Sequence, residues 1–185
     1  ALSRLERAVK WSAGRFSLIL ACCNYAALRG QVIGQLHEAC PEKNIRQIKV
    51  PPRARSLIPK EFETGTPDAV MILGLESAVN PDEIFRDANH ARENFRKAFP
   101  FPVILWLTEP LRNKLIRSVP DFYSWAGTSL RFRPSDEELS DALQRNAEDR
   151  FAEILGRGVY PPRFPADLSN LREFESFLKD LEPLN

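Results

Sequence analysis

The 185-residue chain has only three cysteines and two histidines, and none of them stands at a spacing that carries chemistry. No Cys-x-x-Cys or His-x-x-x-His pair exists, which excludes the usual zinc sites. His37 and His90 are isolated, and no Ser-His-Asp or Cys-His arrangement can be assembled with any specificity. No apolar run approaches the roughly 20 residues that cross a bilayer. Leu2 to Lys10 is amphipathic and charged, unlike the apolar core of a signal peptide, so a cytoplasmic protein with no membrane partner is expected. A formal net charge of +1 excludes whole-surface attraction of nucleic acid or anionic lipid, and any basic site must be local. Cys22 and Cys23 are neighbours in an apolar strand and point to opposite faces, so they would not bridge. Reduced, buried thiols follow.

What is present is a globular composition, 43% hydrophobic and 28% charged, in a chain long enough to bury a proper core. After an opening amphipathic helix (Leu2, Leu5, Ala8, Val9), strand-like runs lie at 16–23, 45–50, 68–76, 102–109 and 129–134. Helix-like pieces lie between them, at about 28–40, 81–98 and 110–118. This alternation predicts an α/β fold of three layers, with right-handed βαβ units and a mostly parallel five-stranded sheet flanked by helices. FSLILACC, AVMILGL and PVILWL are nearly continuous apolar runs, as in strands covered on both faces, and belong at the centre. IRQIKV and SLRFRP, with arginines along them, belong at the periphery.

Two regions follow other rules. Residues 51–67 are long, proline-rich and mixed in charge, which predicts an irregular excursion with at most a short helix. From Ser135 an acid-rich start caps a helix running to about Leu155, a proline-rich link follows, and a last helix covers about Asp167–Leu181. The expected division is an α/β domain over 1–134 and a C-terminal helical appendage over 135–185. The apolar stripe Leu168, Leu171, Phe174, Phe177, Leu178 and Leu181 packs on the domain or opens a following helical array.

The run FSLILACC, the connection Asn24 to Gly30 and the helix-like segment after it come in the order in which P-loop NTPases begin. Set against G-x-x-x-x-G-K-[ST], Cys23 stands at the first glycine, Leu28 at the second, Arg29 at the lysine and Gly30 at the hydroxyl. Glycines there let backbone N–H groups wrap phosphates, and the hydroxyl holds Mg²⁺. Their replacement argues against hydrolysis.

Further short segments carry a resemblance: Cys23-Asn24-Tyr25-Ala26-Ala27-Leu28-Arg29, Leu73-Gly74-Leu75-Glu76, Asn89-x-x-Arg92, Val103 to Leu107 and Pro120 to Trp125. Together they resemble a domain found on the N-terminal side of bacterial tetratricopeptide-repeat proteins, a degenerate relative of the AAA+/STAND (NACHT-like) P-loop NTPase domains. The resemblance covers about residues 10–134. It implies five parallel strands ordered 2-3-1-4-5 or 5-1-4-3-2, and a regulatory or scaffolding role.

Each candidate site residue has two readings. Glu76 at the end of the third strand is a metal ligand in a Walker B position, or a structural residue that caps the next helix. Thr108 is a sensor for a γ-phosphate or a turn residue before Pro110. Asn24, Arg29 and Gly30 are the phosphate-binding candidates; otherwise Arg29 is a solvated helix residue or pairs with Glu76 or Glu109. Asn89, Arg92 and Arg96 on the 81–98 helix are candidates for contact with a partner, or a solvated face. Phe122 and Trp125 plug the sheet edge or meet another domain.

The function these residues favour is a non-hydrolysing regulatory or protein-interaction domain of a larger bacterial protein, with no catalytic residue and no cofactor. Its partner is a protein or a further domain of the same chain, such as helical repeats. A STAND-type switch that holds ATP or GTP with magnesium is the alternative. A nucleic-acid module is the third reading, disfavoured because no exposed aromatics or reading helix accompany the basic residues.

Overall fold

The computed structural model describes residues 1–135 apart from 13, 58–65, 92, 94, 95 and 98. The chain divides into two compact units, Ala1–Phe132 and Arg133–Asn185. The expected C-terminal helices lie outside the described residues, as does the 58–65 part of the 51–67 excursion, whose described part is irregular.

Five strands build the first unit: β1 (Ser17–Cys23), β2 (Ile45–Lys49), β3 (Ala69–Leu73), β4 (Pro102–Leu107) and β5 (Ala126–Phe132). All neighbours pair in parallel, in the spatial order β2-β3-β4-β1-β5. Read from the other edge this is 5-1-4-3-2, one of the two orders that the resemblance implies. The fold is thus α/β and P-loop NTPase-like. The three apolar runs take the centre, and every residue of β4 is buried. At the two edges burial alternates, as the arginine-bearing sequences of β2 and β5 predict.

Helices among the described residues are α1 (Leu2–Trp11), α2 (Ala26–Ala39), α3 (Pro81–His90), α4 (Glu109–Ser118) and the short α5 (Pro120–Ser124). One face of the sheet presents Leu18, Leu20, Ile72, Val103 and Leu105. It shares a core with Ile84, Phe85 and Ala88 of α3, Leu111 and Leu115 of α4 and Phe122 of α5. Residues of opposite parity, such as Ile19, Ile104 and Trp106, are also fully buried, on the other face. α2 touches β1 and α1 lies against α2, completing the third layer. Burying so many side chains, each contributing about 1.5–3 kcal/mol, is what offsets the entropy of ordering the chain.

Local signals explain the element ends. α3 starts at Pro81 because the Asn80 side chain caps it: its Oδ1 accepts the Glu83 N–H at 3.4 Å, and its Nδ2 donates to Glu83 Oε2 at 3.2 Å. β3 stops at Leu73, short of the expected Glu76, because Gly74 takes φ 87° and turns the chain. Only glycine fits there, since a Cβ would stand 3.2 Å from the Val50 carbonyl oxygen. β4 likewise stops at Leu107, ahead of Pro110 near the start of α4. β5 begins at Ala126, three residues before the expected start at Ser129. The three earlier residues, half-buried Ala126, exposed Gly127 and half-buried Thr128, form no apolar run.

Candidate functional site

The carboxyl ends of the central strands are where an open parallel sheet positions its ligand groups. Here they gather Asn24 after β1, Glu76 after β3, and Thr108 and Glu109 after β4, with Arg131 near the end of β5.

The connection from β1 to α2 is shorter than the sequence suggests. β1 ends at Cys23 and α2 begins at Ala26, leaving Asn24 and Tyr25 between them. The helix therefore starts inside the expected connection Asn24 to Gly30. Ala26 to Leu28 are good helix formers, and nothing after Tyr25 interrupts them. The Arg29 N–H already donates to the Tyr25 carbonyl at 2.9 Å, and Gly30 is an exposed residue within the helix. Tyr25 provides no side-chain cap, and the first turn of α2 carries no acidic residue.

Arg29 and Glu76 meet. The guanidinium Nη2 stands 2.7 Å from Glu76 Oε1, and both side chains are largely covered, at 17% and 26% exposure. Glu76 Oε2 is buried and has no hydrogen-bond partner among the described residues. Of the structural readings, Arg29 thus pairs with Glu76, and α3 is capped by Asn80 instead of Glu76.

Glu109 is the second hub, and the sequence reading assigned it no role beyond a possible partner for Arg29. Its Oε2 accepts the Cys22 thiol at 2.8 Å, and its Oε1 lies 3.0 Å from Arg131 Nη2. Its backbone N–H donates to Asn24 Oδ1 at 2.8 Å. Thr108 occupies the cap position of α4 without a side-chain cap bond, so Asn24 supplies that cap from the neighbouring strand. Burial, then the bond to Glu109 and its charge, push the Cys22 thiol far above the ordinary range, while Arg112 and Arg131 oppose them. The thiol is therefore a hydrogen-bond donor and not a nucleophile at neutral pH. A carboxylate at the head of α4, next to Pro110, was the available signal for this hub.

The other candidates scatter. Asn89 on α3 is half-buried, with no partner for its Oδ1 among the described residues, and Arg96 is exposed. Arg92 lies outside the described residues. Phe122 is fully buried in the core, so its aromatic ring serves packing and is closed to a partner domain. Trp125 is half-buried and meets Phe16 edge to face, with ring centroids 6.1 Å apart.

No protein-family model and no curated protein matches the sequence. Among solved structures, the chain is similar to the Aeropyrum pernix ORC2 protein, determined as ADPNP and ADP complexes. The identity is 13% and the TM-score 0.46, over 80% of this chain and 50% of that one. This chain therefore spans about half the length of that neighbour. Among the described residues no group of three His, Cys, Asp or Glu side chains could hold a metal ion, and no helix is long and apolar enough to cross a membrane. All three thiols are buried and free of disulfides.

Proposed function

We propose that this is a non-hydrolysing regulatory or protein-interaction domain of a larger bacterial protein, derived from the P-loop NTPase framework of the AAA+ and STAND type. One observation carries this reading: the two-residue passage from β1 to α2. A phosphate loop works by wrapping several backbone N–H groups around the β- and γ-phosphates. Two residues cannot make that wrap, and from Arg29 onward the helix uses its own amides.

The carboxylate set supports the same conclusion. Mg²⁺-nucleotide needs free oxygen donors at the strand ends. Glu76 is engaged by Arg29, and Glu109 is shared between Cys22 and Arg131. These residues do not fit the magnesium of a hydrolysing site. The framework is kept while the charges that would meet nucleotide neutralise one another.

The function then lies in contacts with protein, either a partner or further domains such as tetratricopeptide repeats. Asn89, Arg96 and the segment carrying Arg92 are the candidates for that contact. The buried, unbridged cysteines suit a reducing cytoplasm. Calorimetric titration of the protein with Mg-ATP, Mg-GTP and the diphosphates tests the reading. No heat of binding is expected up to millimolar concentration. Micromolar binding that disappears in Arg29→Ala would instead establish a nucleotide-holding switch.

A further inference from the structure

We propose that the outward face of α1 is a docking surface for an acidic, helical segment of a partner protein, with Trp11 as its apolar anchor and Arg4, Arg7 and Lys10 as its charges. The proposal deepens the protein-interaction reading and rests on it.

α1 has two unlike sides. Leu5 and Val9 are fully buried. Arg4, Arg7 and Trp11 follow one another at i, i+3 and i+7 and so form a stripe on the opposite side, with Lys10 beside it. All four are exposed, and Trp11, at 78%, is one of two large apolar side chains left in water among the described residues. The sequence reading expected no exposed aromatic beside basic residues, and Trp11 is one. Arg7 Nε donates to the Ser3 carbonyl at 3.3 Å, and its guanidinium carbon lies 6.0 Å from the centre of the Trp11 ring. These two contacts favour one arrangement of the stripe before any partner arrives.

The stripe does not serve the helix that carries it. Arg4 lies in the first turn, where the helix dipole disfavours a cation, and that turn has no acidic residue. Arg4 and Arg7, and then Arg7 and Lys10, are like charges three residues apart, which repel mildly. Elsewhere in the unit Arg29, Lys43, Lys114 and Arg131 each pair with a carboxylate. Among the described residues Arg4, Arg7 and Lys10 form no ion pair. Choices that work against local stability gather where a surface serves something else. The complement of this one is acidic around an apolar centre.

Three features favour a protein over other anionic partners. A membrane-bound helix sinks an apolar face into lipid, but the apolar face of α1 is turned inward. Single-stranded nucleic acid is held by several aromatics along a groove, and this is a single indole on a convex helix. Tryptophan and arginine are the side chains that dominate protein hot spots. A second copy of the chain would bring the same positive charges and be repelled. The stripe from Arg4 to Trp11 runs about 10 Å, two turns of helix, which suits a partner helix lying alongside.

The probe is a fluorescein-labelled, stapled helical peptide with glutamates flanking a row of leucines, titrated with the full chain and read by fluorescence anisotropy. Its lysine counterpart, an oligothymidylate and vesicles rich in phosphatidylserine are run beside it. Micromolar binding of the acidic peptide is expected, with none of the lysine peptide. Trp11→Ala and the double variant Arg4→Glu/Arg7→Glu should each weaken it at least tenfold. Urea midpoints should be no lower in either variant, since the side chains are exposed and Arg4→Glu places an acid in the first turn.

No binding of the acidic peptide would overturn the proposal. Binding that survives Trp11→Ala would do the same, because it would be charge attraction without docking. So would tighter binding of the oligonucleotide or the vesicles through the same residues. If the peptide is silent and nucleotide is too, only the α1 surface fails. If Mg-ATP binds through Arg29 while the peptide docks, the non-hydrolysing reading fails and the surface stands.

Discussion

Asn24 and Glu109 join the ends of β1 and β4: Asn24 Oδ1 accepts the Glu109 backbone N–H at 2.8 Å. A residue at the start of a would-be phosphate loop is thus spent on capping a neighbouring helix. Asn24→Ala would leave a part-buried N–H at the head of α4 without a partner. The expected cost is about 1 kcal/mol. Urea unfolding of the two proteins checks it, with the midpoint lowered and the slope unchanged.

The thiol of Cys22 predicts a pH dependence. Its folded pKa is raised, by burial first and by Glu109 second, and burial raises that of Cys40 as well. As pH rises past the ordinary thiol value of about 8.5, the unfolded chain gives up these protons before the folded one does. Stability is therefore fully present below that pH and falls above it. Urea midpoints between about pH 7 and pH 10 should decline, and less steeply in Cys22→Ala. A matching outcome is slow alkylation of Cys22 by iodoacetamide in the native protein, at a rate that rises only on unfolding.

Gly74 is predicted to be the least replaceable glycine among those described. Its positive φ and the 3.2 Å approach of a Cβ to the Val50 oxygen add two penalties at one residue. Gly74→Ala should cost about 1–3 kcal/mol, read as a lower thermal midpoint. Gly30→Ala, exposed within α2 and with open space around its Cβ position, should be neutral or stabilising by up to about 1 kcal/mol.

The sheet was legible in the sequence because its signal is dense. Three uninterrupted apolar runs marked β1, β3 and β4 as central, and the arginines of IRQIKV and SLRFRP marked the edges. The start of α2 was hidden because the alignment with a phosphate-loop pattern placed a connection over residues that favour helix. The first residues of β5 were hidden because Ala126, Gly127 and Thr128 form no apolar run. Of the site, the Arg29–Glu76 pair was among the foreseen partners. The Glu109 hub was not, since its three contacts come from Cys22, Asn24 and Arg131, separated from it by many residues and joined only by strand order. Long-range polar contacts of that kind leave no periodicity to read.

The central claim is that this framework no longer takes nucleotide, and ligand-linked stability tests it most directly. A ligand that binds only the folded state stabilises it by about 2.7 kcal/mol when present at a hundredfold its dissociation constant. The measurement is the thermal midpoint of the protein with Mg-ATP and Mg-GTP raised into the millimolar range. The account predicts an unchanged midpoint for the wild type. A midpoint that climbs with nucleotide concentration, and no longer does so in Arg29→Ala, would contradict it.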